Sequence, residues 1–204
     1  MPLETVSAVA LPFLGTTIGA GLVFFMKGAL NQKLQRILTG FAAGVMVAAS
    51  VWSLIIPAME QSEHMGKLAF LPAFIGVWGG FLFLLALDHL IPHLHINSDR
   101  PEGTASSLGK STMMVLAVAL HNLPEGMTIG ASYASNNAVM GSSALVLAIL
   151  IGLHNIPEGM AVSVPLISGG MSKPIAVLLT ALSGVPTILG ALLGFWLGDI
   201  GLLG

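Results

Sequence analysis

Two hexapeptides hold the residues most able to do chemistry, His121-Asn122-Leu123-Pro124-Glu125-Gly126 and His154-Asn155-Ile156-Pro157-Glu158-Gly159. They differ by one Leu/Ile exchange, and each interrupts a long apolar run. In both, His and Glu stand four apart and Asn and Glu three apart, which puts all three on one face of a helix. Turned together, the two faces bring two imidazoles, two carboxylates and two amides to one place. Imidazole and carboxylate suit first-row divalent metals, and the amide adds a hard oxygen. Two Glu carry the charge that neutralises one divalent ion; because carboxylates can also bridge, one metal or two would fit. The expected metal-ligating set is therefore His121, Asn122, Glu125, His154, Asn155 and Glu158. Placing an ionisable group at membrane depth costs about 2.5–3.5 kcal/mol even on the lenient insertion scale. A purely structural His–Glu pairing explains one such copy more readily than two matched ones. Protons compete for the same lone pairs, so ion binding here should depend on pH. Pro124 and Pro157 cannot donate to the carbonyls of Leu120 and Leu153, and each helix should kink just before its Glu.

The elements that position these residues must lie in lipid. Of 204 residues, 55% are apolar and 8% charged, against about 25% charged in a soluble domain; mean hydropathy is +0.92. Net charge is -2 with seven Lys plus Arg, which leaves no basic face for nucleic acid. The absence of Cys excludes a disulfide scaffold, an iron–sulfur cluster and a thiolate zinc site. A spanning helix needs about 20 apolar residues. Six stretches qualify: Val6–Met26, Leu38–Ala58, Ala69–Pro92, Met113–Tyr133, Ser143–Ile167 and Ile175–Leu197. Their apolar runs are continuous rather than alternating, which favours helices over a barrel. The expected fold is all-α, a polytopic membrane bundle forming one transmembrane domain over residues 1–204. Residues 93–110 make its one long linker. Gly15/Gly19, Gly40/Gly44, Gly76/Gly80, Gly126/Gly130 and Gly190/Gly194 are spaced to let helices pack closely inside the bundle.

Lysine and arginine placement sets the orientation. Lys27, Lys33, Arg36, Arg100, Lys110 and Lys173 fall in the odd-numbered linkers, and Lys67 alone in an even one. The odd linkers, including 93–110, should be cytoplasmic and both chain ends extracytoplasmic. The N-terminus has Glu4 and no basic residue before its apolar run, a poor signal peptide, so the first segment should be retained.

The duplicated hexapeptide on consecutive helices resembles the ZIP family of divalent metal transporters, its bacterial ZupT/GufA-like branch in particular. AGVMVAASVWSLIIPAME in the second helix, LDHLIPHLH closing the third and ALSGVPTILGALLG in the sixth extend the resemblance along essentially the whole chain. It implies transport of zinc above all, with Fe2+, Mn2+ and Cd2+ also open, across a bacterial inner membrane towards the cytosol. It also implies that His121, Glu125, His154 and Glu158 form a first metal site. Asn122 and Asn155 would serve a second, with both Glu bridging. Family members often have Glu where this chain has Thr187, and its loss should weaken the second site or abolish it. They usually have eight helices and this chain six. That implies a fragment, or else a homodimer or other partner that supplies the rest; fragment is the preferred reading.

Other residues have bland and functional readings side by side. Asp88, His89, His93 and His95 at the cytoplasmic end of the third helix are either a metal exit or sensing site, or ordinary interfacial polar groups. Glu60, Glu63 and His64 either attract cations or simply solvate a loop. Met46, Ser50 and Ser53 could line a path, although most Met in so apolar a chain is packing. Two functions compete with transport. An intramembrane zinc hydrolase wants three ligands, a general base and no duplicate, whereas every polar group here has a twin and there is no HExxH. A metal-sensing membrane subunit would bind the ion without moving it.

Overall fold

The computed structural model describes residues 3–26, 31–93, 102–104, 109–134 and 138–199. The described residues form α1 (Leu3–Gly21), α2 (Gln32–Ala48), α3 (Ile56–Gln61), α4 (Leu71–Leu90), α5 (Lys110–Ala134), α6 (Ala138–Ser168), α7 (Lys173–Ser183) and α8 (Val185–Asp199). A π-helical turn, Ala49–Ile55, joins α2 to α3. The fold is an all-α membrane helix bundle. Both α5 and α6 continue through their prolines.

Among the described residues, five segments are long and apolar enough to cross a membrane by length and composition; α2 with α3 and α7 with α8 each count as one, and α5 is not among them. At 25 residues α5 is long enough, but its apolar run carries the polar hexapeptide. Along α1 and α6 the contacts climb together, Gly15 against Gly152 and Gly19 against Ile156, so these helices run parallel. Three segments, α2–α3, α4 and α5, separate α1 from α6. With α2–α3 and α4 both crossing, the direction agrees only if α5 crosses as well. The pair α5 and α8 is parallel too, with Gly126 against Thr187 and Gly130 against Ala191.

These two parallel pairs are the centre of the molecule, and each contains one hexapeptide helix. A Cβ added at Gly126 would overlap the carbonyl oxygen of Thr187, and one at Gly159 that of Thr16. Only glycine lets the backbones meet there. By contrast Gly40, Gly44, Gly76 and Gly80 have open space around an added Cβ. The expectation of internal packing fails for those two pairs, because α2 and α4 lie at the edge. No residue of α4 is buried; Phe70 just before it and Phe74, Trp78 and Phe81 along it meet edge-on or tilted, with neighbouring ring centroids 5.9–6.5 Å apart. The main apolar core joins Ala8 and Val9 of α1, Ala49, Ile129 of α5, Leu147, Ala148 and Ile151 of α6, and Ala191 of α8.

The sixth apolar stretch is not one uninterrupted helix. Pro186 has no N–H for the carbonyl four residues back. Around it the bonds shorten to Gly184 N–H on Ala181 O at 3.0 Å and Thr187 N–H on Gly184 O at 3.1 Å. The Ser183 carbonyl thereby loses its helical donor, and α7 ends there.

Candidate metal centre

Near the middle of α5 and α6, His121, Glu125 and His154 bring their ligand atoms within 4.8 Å of one another. Glu125 Oε1 lies 3.3 Å from His121 Nε2 and 3.7 Å from His154 Nε2, at ion-pair distance without hydrogen-bond geometry. The two imidazole rings are 6.1 Å apart and tilted. Glu158 lies outside that trio, one turn beyond His154 and within electrostatic reach of Glu125.

The two histidines are held differently. His154 Nδ1 lies 3.1 Å from the carbonyl oxygen of Ala42 in α2. A carbonyl only accepts, so Nδ1 carries a proton, and Nε2 is the nitrogen that faces Glu125. Its side chain is 11% exposed, that of His121 52%. The duplicated sequence has produced one fixed imidazole and one open one.

The asparagines are tethered through nitrogen. Asn122 Nδ2 donates to Ser183 O at 2.9 Å, supplying the donor that carbonyl lost at the α7–α8 break. Asn155 Nδ2 donates to Pro12 O of α1 at 3.3 Å. These bonds orient both amides and leave their oxygens over. Asn122 Oδ1, Asn155 Oδ1, both carboxylate oxygens of Glu125, Glu158 Oε2 and Thr187 Oγ1 are buried without a hydrogen-bond partner. Buried polar atoms are normally satisfied. Here five of the six orphans are pure acceptors, from the hexapeptides themselves. An array of buried acceptors short of donors, beside two imidazoles, is what a cation satisfies.

The sequence reading named all six hexapeptide residues. It did not find the carbonyls of Ala42 and Ser183, since backbone atoms carry no residue type. Pro186 was the available signal for Ser183.

At the end of α4 a second group forms, from Asp88, His93 and Glu102, with ligand atoms within 4.8 Å of one another. His93 Nε2 is 3.0 Å from Asp88 Oδ1. The backbones of His93 and Glu102 pair in both directions, at 3.1 and 2.9 Å. His89 stays apart, its Nδ1 bonded to Leu85 O at 2.9 Å, and His95 lies outside the described residues, as do Lys27, Asp99, Arg100 and most of the 93–110 linker. Glu60, Glu63 and His64 are exposed. Ser53 is buried in the π-helical turn, and Ser50 bonds back to Met46 O at 2.8 Å.

Comparison with known proteins identifies the family. The family described as ZIP zinc transporter matches residues 96–202. The chain is 36% identical over 135 residues to the zinc transporter ZIPB of Bordetella bronchiseptica, covering 65% of this chain and 43% of that protein. It is 35% identical over 190 residues to the zinc transporter GufA of Myxococcus xanthus, covering 91% and 74%. To the zinc transporter ZupT of Shigella dysenteriae it is 34% identical over 198 residues, covering 95% and 71%. The match thus spans less than half the length of the Bordetella relative and about three quarters of GufA. These relatives are transporters rather than enzymes, and the chain belongs to the ZIP zinc transporter family.

Proposed function

We propose that this chain carries divalent metal ions across a membrane, zinc first among them, through a centre built by His121, Asn122, Glu125, His154, Asn155 and Glu158. The observation that carries the reading is the set of buried acceptors from both hexapeptides without hydrogen-bond donors. A permanently unsatisfied cluster of that kind would be a standing cost; intermittent occupation by a cation offsets it. The names of the relatives support zinc as the ion. Two imidazoles lean the same way, while the carboxylates and amides keep iron, manganese and cadmium as substrates. The charge distribution supports chain ends outside the cytosol; inward movement in a bacterial inner membrane rests on the family resemblance.

In this reading a hydrated ion loses water as Glu125, His154 and the exposed His121 close around it. The glycine-packed pairs α1–α6 and α5–α8 carry the centre and move as a block against α2–α4, whose packing on them is thinner. The hydrolase reading loses ground, because both hexapeptides contribute matching buried acceptors. A sensor would bind zinc equally well, so flux is the test. Proteoliposomes containing the chain should accumulate zinc, and Glu125→Ala or Glu158→Ala should abolish uptake. Zinc bound without uptake in the wild type would overturn transport and leave the sensor.

A further inference from the structure

We propose that a metal ion at this centre clamps α2 onto α6, with His154 as the clasp. The inference rests on the metal-centre reading above. Ala42 and His154 stand 112 positions apart in sequence, and the 3.1 Å bond from His154 Nδ1 to Ala42 O joins their helices. A helical carbonyl keeps a second lone pair after its own ladder bond, and this one takes the imidazole N–H. The opposite ring nitrogen, Nε2, lies 3.7 Å from Glu125 Oε1 of α5. One imidazole thus has α2 on one side and the metal-binding space on the other.

The first half of this segment is placed to let go. Among the described residues of α2, Ala42 alone is buried. Leu38, Val45 and Met46 share its face and are half-buried, while Gly40 and Gly44 have open space around them. The other end is held: Ala49 belongs to the main apolar core and opens the π-helical turn Ala49–Ile55. Such turns interrupt the α-helical ladder and are where helices bend. Ala42 lies about two helical turns, about 10 Å, from that pivot, so a small rotation there separates it from His154. The gap opens towards the end of α2 that carries Lys33 and Arg36, the cytosolic end in the orientation proposed above.

Linkage fixes what the ion does to this contact. A partner that orients a metal-binding imidazole is worth about 10–100-fold in affinity. Coupling between two binding events is reciprocal. The ion must therefore strengthen the hold of α2 on α6 by the same factor. A filled centre keeps α2 docked. When α2 leaves, His154 loses its orienting partner and the ion loses part of its grip, so undocking is also a release step.

Position 42 tests the clamp without altering a ligand. Ala42→Leu adds bulk on the buried face and pushes α2 from α6. With the full chain in lipid nanodiscs, zinc affinity read by competition with a chromophoric chelator should fall about 10–100-fold. Gly44→Leu, on the open side of the same helix, should leave it unchanged. In a His154→Ala background Ala42→Leu should cost less than about twofold, because its effect passes through the imidazole. An equal loss in both backgrounds, or none in the wild type, would overturn the proposal. A second measurement reads the docking itself. The chain has no Cys, so spin labels at Gln35→Cys and Ser168→Cys, both exposed positions, report the separation of α2 and α6 by double electron–electron resonance. Zinc should shift the distances towards the shorter, docked population in the otherwise wild-type chain and leave them unmoved with His154→Ala. Identical distributions with and without zinc would overturn the clamp, even where Ala42→Leu does not fold. Zinc binding that survives the Glu125→Gln/Glu158→Gln double variant would overturn the centre itself, and this inference with it. Zinc lost in that double variant but indifferent to position 42 overturns the clamp alone.

Discussion

The unequal histidines give a quantitative prediction. His154 is pre-oriented by its bond to Ala42 O and is nearly enclosed, whereas half of the His121 side chain is exposed. Partners that orient a metal-binding imidazole are worth about 10–100-fold in affinity. His121 also gives up side-chain freedom on binding, at about 0.5–1.5 kcal/mol. Both terms favour His154 as the stronger ligand. His154→Ala should weaken zinc binding by about 10–100-fold more than His121→Ala does, a difference of roughly 1.4–2.7 kcal/mol. Zinc competition against a chromophoric chelator, on protein purified in detergent, reads the two dissociation constants directly. Equal losses, or a larger loss in His121→Ala, would refute the argument from pre-orientation. Dissociation offers an independent check, since the open histidine should release first. Stopped-flow exchange should therefore be faster in His121→Ala than in the wild type, while much of the equilibrium affinity survives.

Three more expectations follow from the packing and the ligand set. Asn122→Ala leaves the Ser183 carbonyl without a donor and should cost about 1 kcal/mol of stability. Asn155→Ala should cost less, because Pro12 O also receives the Thr16 hydroxyl at 3.3 Å; thermal unfolding in one detergent compares them, and the reverse order would contradict the bonding described. Gly126→Ala must push α5 from α8 and should destabilise by about 1–3 kcal/mol, whereas Gly76→Ala, with open space around it, should stay within about 0.5 kcal/mol; fluorescence-detected size exclusion after heating separates the two. Zinc affinity should fall steadily as pH is lowered from neutral, because protons occupy the imidazole and carboxylate lone pairs that the ion needs; a flat profile from neutral to mildly acidic pH would count against this ligand set.

The membrane class and the candidate metal-binding motif were legible because lipid makes polar residues conspicuous. A His or Glu in the middle of an apolar run has few structural excuses, and two copies of one hexapeptide narrowed them further. Among the described residues five of the six expected crossings match segments long and apolar enough to span; α5, with its polar hexapeptide, is not among them, and only the parallel packing of α1 on α6 argues for it. What escaped the sequence was set by partners rather than residue types. Nothing in HNLPEG and HNIPEG says that His154 will find the Ala42 carbonyl while His121 stays open. Nor does GxxxG spacing distinguish Gly126, which meets another backbone, from Gly76, which meets none. The break before α8 was present as Gly184 and Pro186 inside an apolar stretch, but apolarity dominated the reading there.

The lengths of α4 and α6 have a consequence for the surrounding lipid. At about 1.5 Å per residue, the 20 residues of α4 span about 30 Å, close to the thickness of a bilayer's hydrocarbon core. The 31 residues of α6 extend to about 46 Å. In one bilayer α4 can stand upright, but α6 must either lean or project well into the headgroups. Because glycine contacts bind α6 to α1, a change in its lean is shared by the helices around the metal centre. Acyl-chain length thus becomes a mechanical input, with thinner bilayers demanding more tilt from α6 than from α4. Hydrophobic mismatch would be felt first as shear between the centre of the bundle and its edge.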